Sequence, residues 1–182
     1  AQGVRAAFIT RDKDLAQLVR DGDLFWDFGA RERYGYHDIE RRFGVSPERF
    51  ADYLALTGDE VDNIPGVPGI GHHTAAALMK AFGSLDELYA DLGRVAQLKL
   101  RGAASLAGRL AAHRESAYLA RSLTRIACDL RLGATAEALR RRAPDLPALG
   151  TLYDRLGFGP YLRRQGQRLA QLPDLVAAHA AA

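Results

Sequence analysis

The chain has 182 residues, 48% of them hydrophobic and 26% charged, with a formal net charge of only +3; that is enough for one domain or two small ones with a real core. Its single cysteine, Cys128, excludes an internal disulfide framework and any cysteine-based zinc cluster, and fits a reducing compartment. No apolar run reaches the length of a membrane span, and the opening residues do not read as a signal peptide, so no membrane role is expected.

In chain order, residues 5–10 (RAAFIT) predict a short buried strand, and residues 12–19 a helix with Leu15, Leu18 and Val19 on one side. Residues 24–28 (LFWDF) predict a second strand, and residues 31–36 either pair with it or form a loop. A short helix over 37–43 ends at Gly44. Ser46-Pro47-Glu48 reads as a helix start, with serine as N-cap and proline in the first position; that helix runs to about Thr57. A glycine hairpin spans 59–72, followed by a helix over 73–82 that Gly83 closes. Ser84 to Glu87 forms a capping box for the next short helix. Helical patterns then cover 103–113, 115–125, 135–142, 147–156 and 174–181, with an alanine-rich end at 177–182 expected to fray. Trp26, Tyr34, Tyr36 and Cys128 are expected in the core. Strands are thus confined to the first 36 residues. RAAFIT is apolar enough to want cover on both faces, like a central parallel strand, and a sheet this small is marginal alone. The chain is therefore expected to start inside a sheet whose other strands lie in a preceding segment or another chain.

Two pairs of carboxylates carry the chemistry. Asp12 and Asp14 follow the first strand at once, where ligands bind in open α/β sheets; equally, they could cap a helix and occupy its first turn. Asp59 and Asp62 follow the helix ending at Thr57, where the helix dipole gives carboxylates no support; the plain alternative is a solvated turn. Converging pairs would make an acidic cluster that needs cations. Mg²⁺ takes such oxygen ligands, and two ions can drive phosphodiester cleavage without histidine or cysteine. Between Asp59 and Thr74 lie Gly66, Gly69 and Gly71, stiffened by Pro65 and Pro68, with Thr74 placed to cap the following helix. The spacing fits neither the dinucleotide fingerprint nor a P-loop. The segment is either a tight helix–helix connection or a hairpin whose N–H groups hold a DNA phosphate without reading sequence. The basic residues are nearly all arginine, which suits phosphate but also follows from a GC-rich genome. Arg140 to Arg142, Arg163, Arg164 and Lys80 are either phosphate contacts or a solvated helix surface.

Residues 10–19 (TRDKDLAQLV) and 52–74 (DYLALTGDEVDNIPGVPGIGHHT), with LRGA at 100–103 and LTRI at 123–126, resemble the 5′–3′ exonuclease/flap endonuclease family. Its members include the nuclease domain of bacterial DNA polymerase I and stand-alone relatives. The resemblance covers roughly residues 1–132. It implies an α/β, mostly helical chain: an incomplete, PIN-like parallel-sheet layer over 1–44, a helix–three-turn–helix DNA-binding subdomain and following helices over 45–132, and a helical extension over 133–182. It implies Asp12, Asp14, Asp59 and Asp62 as ligands of two Mg²⁺ or Mn²⁺ ions. It makes Gly66, Val67, Gly69, Ile70, Gly71, His73, Thr74 and Lys80 DNA contacts, with the Val67 and Ile70 carbonyls holding K⁺. The substrates would be 5′ flaps, nicked duplexes or 5′-ended DNA, in a bacterial cytoplasm beside the nucleoid. The chain departs from the family at two places. His72 and His73 stand where a lysine usually precedes the hairpin threonine. A preceding portion, with further acidic ligands and a threading arch, is not in the sequence, so the chain alone is expected to be weak or inactive. The rival reading is a structure-selective DNA-binding module without catalysis.

Overall fold

Short apolar runs in the first thirty-odd positions build a small sheet, described with the rest of the chain by a computed structural model for residues 4–131, 133, 135 and 138–172. Two units are distinct, Ala1–Cys128 and Asp129–Ala182. In the first, β1 (Ala7–Ile9) runs parallel to β2 (Leu24–Asp27), which pairs antiparallel with β3 (Glu32–Tyr34). Asp23 fastens the start of this sheet: its carboxylate accepts the Ala6 N–H at 2.7 Å and the Arg20 N–H at 3.0 Å.

Burial departs from expectation here. Phe25 enters the core, but its neighbour Trp26 points to the other face by the period of a strand. There Arg33 lies over the indole at 4.5 Å and Phe28 meets its edge at 5.2 Å. All three expected aromatics are half-buried: Tyr34 and Tyr36 pack against the edge of the core, while Trp26 does not join it. β1 is not covered on both faces: Ile9 is 62% exposed, and the outer edge of β1 pairs with no strand among the described residues.

The segment after β1 is a 3-10 helix, Lys13–Leu18, rather than an α-helix. Its Leu15 and Leu18 eclipse at i, i+3, and Ala16 and Val19 bury it. Next come α1 (Tyr36–Phe43), closed by Gly44 at φ 77°, a 3-10 turn at Pro47–Arg49 and α2 (Phe50–Thr57). Ser46 precedes that turn as expected, although its side chain makes no capping bond. The strands are not confined to the first 36 residues. A two-residue ladder, β4 (Gly58–Asp59) against β5 (Ile64–Pro65), opens the hairpin. Then follow α3 (His72–Phe82), α4 (Leu85–Ala90), α5 (Leu92–Val95), α6 (Ala103–Ala112) and α7 (Arg114–Thr124). Ser84 Oγ accepts the Glu87 N–H at 3.1 Å, the expected N-cap of α4.

Phe50, Leu56, Leu78, Met79, Leu85, Leu88, Leu106 and Leu110 are fully buried in one core spanning α2 to α6; each such side chain contributes about 1.5–3 kcal/mol. Arg121 braces the outside of this core against Asp52 of α2 at 3.5 Å and Asp86 of α4 at 2.8 Å. Cys128, expected inside, is exposed, because it lies in the extended segment beyond α7, past the last core residue of that helix.

The second unit is a helical pair, α8 (Leu146–Arg155) and α9 (Pro160–Ala170). Gly166 of α9 is buried against α8, facing Leu146, Leu149 and Tyr153. The α9 segment carries a helical pattern that the sequence reading left unassigned. The helix expected over 135–142 reduces, among the described residues, to a turn near Ala138 to Arg140. The helix expected over 174–181 and its frayed end lie outside the described residues.

Candidate active site and nucleic-acid interface

Three of the four aspartates meet. Asp14 comes from the first turn of the 3-10 helix after β1, Asp59 from β4, and Asp62 from the tight turn between β4 and β5. Each offers one carboxylate oxygen, and the three oxygens lie within 4.8 Å of one another. The turn itself explains why Asp62 returns to Asp59. Asn63 takes a left-handed conformation, φ 54°, and the Val61 N–H donates to Asp59 Oδ1 at 3.1 Å. Asp59 is only 3% exposed, while Asp62 faces solvent. Asp12 does not join the three: its Oδ1 accepts the Asp14 N–H at 3.0 Å, capping the 3-10 helix.

The electrostatics of the trio are those of crowded acids. Burial pushes the Asp14 carboxyl up to about 6; Lys13 opposes the shift, and Asp59, Asp12 and Asp62 add to it. Asp14 Oδ1 is buried without a hydrogen-bond partner, an unusual state for a carboxylate oxygen. Lys13 was not singled out by the sequence reading, yet its ammonium contacts Asp59 and lies 3.8 Å from Asp14. Its position between two aspartates, immediately beyond a strand end, is the signal that could have found it. The donor set fits a hard divalent cation: three carboxylates in reach of one point, one of them with an oxygen that accepts no hydrogen bond.

The hairpin is held by close backbone approach. A Cβ on Gly66 would lie 2.3 Å from the Thr57 carbonyl carbon, and one on Gly58 would lie 2.4 Å from Gly66 N. Gly58 also has φ 76°, so glycine is required at the crossing for both reasons. The Val67 N–H donates to Leu56 O at 2.9 Å, and the Ile70 N–H donates to Val67 O at 3.0 Å, closing the turn on itself. Val67 and Ile70 bury their side chains, which leaves the backbone to form the outer surface. The N-cap of α3 is Gly71, not Thr74: Thr74 sits a turn inside, and no side chain caps the first N–H groups. Helix starts with uncapped N–H groups favour anions. His72 Nδ1 is 2.6 Å from the Tyr53 hydroxyl, and their rings stack, so His72 is tied inward while His73 is exposed. Lys80 lies in the last turn of α3, about 12 Å along the axis from the hairpin end. Arg141 donates to the Leu169 and Leu172 carbonyls at 3.2 and 3.1 Å, and Arg163 pairs with Asp154; both have structural roles in the second unit.

Comparison with known proteins gives the family. The family model described as "5′-3′ exonuclease, C-terminal SAM fold" matches residues 45–147. The chain belongs to the 5′–3′ exonuclease family. DNA polymerase I of Pseudomonas aeruginosa is 41% identical over 154 residues, covering 84% of this chain and 17% of the polymerase. A 5′-3′ exonuclease of Buchnera aphidicola subsp. Schizaphis graminum is 32% identical over 138 residues, covering 76% of this chain and 48% of that enzyme. Among solved structures, the 5′-exonuclease of bacteriophage T5 with bound zinc superposes with a TM-score of 0.55 at 27% identity, over 66% of this chain and 42% of that one. A T5 flap endonuclease variant in a pseudo-enzyme-product complex with DNA and metal ions matches at 26% identity with the same TM-score. This family member thus spans less than a fifth of the polymerase and under half of the stand-alone exonucleases it resembles. It is mostly helical with small sheets, as the resemblance implied.

Proposed function

We propose that this chain carries the metal-holding and duplex-gripping part of a structure-selective 5′–3′ nuclease that acts on 5′ flaps, nicked duplexes or 5′-ended DNA. The observation that carries the reading is the meeting of Asp14, Asp59 and Asp62, with Asp14 Oδ1 accepting no hydrogen bond. These three residues would hold Mg²⁺ or Mn²⁺, and Asp12 is the one aspartate of the original four left to serve a second ion. When bound, such ions supply Lewis-acid activation of water and of the scissile phosphate. The protein's own contribution is placement. β4 and β5 are at once the arm that carries Asp59 and Asp62 and the base of the hairpin. A duplex held by the hairpin is therefore held at a fixed offset from the acidic trio. In this reading the backbone of Gly66, Gly69 and Gly71, with His73 and Thr74 at the start of α3, contacts the phosphodiester chain. The Val67 and Ile70 carbonyls offer oxygens to K⁺, and Lys80 contacts DNA further along α3. Residues 1–44 would belong to the nuclease core, residues 45–132 to the duplex-binding subdomain, and residues 133–182 to an extension. The site of action is the bacterial cytoplasm, at the nucleoid.

One observation favours a second reading, a DNA-binding module indifferent to metal: Lys13 already neutralises part of the trio. Two assays on the full chain separate the readings: duplex binding in EDTA, and Mn²⁺ binding together with cleavage of a 5′-flap substrate. The nuclease reading expects saturable Mn²⁺ binding that Asp59→Ala abolishes, and any flap cleavage to disappear with it. Duplex binding without any Mn²⁺ binding contradicts it and supports the module.

A further inference from the structure

The hairpin borrows a positive charge from far along the chain. Arg109, on α6, places its guanidinium directly against the turn at Gly69: a Cβ built on Gly69 would lie 2.4 Å from Arg109 Nη1 and 3.3 Å from Cζ. Gly69 also has φ +75°, so the turn has both the conformation and the open space that this approach needs.

Arg109 is conspicuous for what it does not touch. Its Nε is buried without a hydrogen-bond partner, and among the described residues the side chain makes no ion pair, hydrogen bond or ring contact. Other arginines of the same unit are engaged: Arg49 with the Met79 carbonyl, Arg94 with the Ala81 carbonyl, and Arg121 with Asp86. A partly desolvated guanidinium without an acceptor is costly, and its planar fork suits the oxygens of a phosphate. The acceptor is absent from the protein, but the uncapped start of α3, two residues beyond Gly69, faces the same need for an anion. Side chains nearer in sequence supply no permanent cation at the turn, His73 being a histidine. His72 is bonded to Tyr53, and Lys80 stands at the other end of α3.

We infer that Arg109 is a phosphate-contacting residue of the hairpin, the permanent cation that fixes one DNA backbone phosphate beside Gly69. The inference rests on the duplex-binding reading above and adds a residue from a different helix to it. It makes the grip a composite of the hairpin and α6, so that DNA affinity depends on the packing of α6 against the core.

The test is duplex binding by fluorescence anisotropy in EDTA, using the full chain and a labelled blunt duplex, across a series of KCl concentrations. Each phosphate contact contributes about 0.9 to the slope of log K against log salt. Arg109→Met is expected to lower affinity roughly ten-fold, to reduce that slope by about one contact, and to leave Tm unchanged or raised. Arg109→Lys is expected to keep the slope. Arg109→Gln, which retains polarity if the methionine variant fails to fold, is expected to behave like Arg109→Met. A slope unchanged in the methionine or glutamine variant overturns the inference while duplex binding stands. A wild-type chain that binds no duplex overturns both.

Discussion

Asp14 is half-buried, with an oxygen that accepts no hydrogen bond, and its protonation is where the metal-free protein should report on the site. Its folded value of about 6 lies above the ordinary carboxylate value of about 4. A raised acid favours the folded state most when protonated. Its contribution is therefore fully present below about pH 4 and is lost as the pH rises through about 6. Thermal melts in EDTA should show wild type losing Tm relative to Asp14→Asn across that window, and Mn²⁺ should remove the loss. Parallel pH profiles of the two proteins in EDTA would contradict this account of Asp14. Lys13 makes a second prediction of opposite sign in two assays. Its removal strips about 1 kcal/mol of attraction from the acidic group. Lys13→Met should therefore lower the Tm of the metal-free protein and strengthen Mn²⁺ binding about five-fold. Metal affinity that falls with the substitution would mean that Lys13 helps to build the site instead of competing for it.

At the scale of elements, the hairpin and the first strand are each held by one feature. Gly66 crosses Gly58 with no room for a methyl group. Gly66→Ala should destabilise by about 2–3 kcal/mol in urea unfolding, with loss of duplex binding, whereas Gly159→Ala, which meets open space, should change neither. Asp23 anchors β1 through the Ala6 N–H, which holds its carboxyl below the usual range, helped by Arg20. A depressed acid contributes stability above its unfolded value of about 4 and loses it as the pH falls through the lower folded value. Asp23→Asn should cost about 1–3 kcal/mol at neutral pH, and the gap to wild type should close in acid. The sequence made most of these elements readable because their signals are local: Gly44 and Gly83 after helices, Pro47 at a helix start, and the Ser84 to Glu87 box. It misplaced the cap of α3, since Gly71 offers no side chain to recognise and Thr74 does. It missed β4 and β5 because a two-residue ladder has no periodicity. It missed α9 as well, although Pro160 follows Gly159 at its start.

For the whole molecule, the legible part of the site was its residue types, and the hidden part was its assembly. Asp14 and Asp59 lie 45 positions apart, and nothing in their spacing shows that the β4–β5 turn brings Asp62 to them while Asp12 is held as a cap. Lys13 and Arg109 were hidden for the same reason: their roles depend on which distant backbone they meet. Family resemblance supplied the aspartates and the hairpin, and geometry sorts them. The measurement that bears most directly on the account is a calorimetric titration of Mn²⁺ into the full chain, with Asp59→Asn and Asp12→Asn beside it. The account predicts saturable binding in the wild type, its loss in Asp59→Asn and its survival within a few-fold in Asp12→Asn. Binding that ignores Asp59→Asn, or no binding by the wild-type chain, would contradict it.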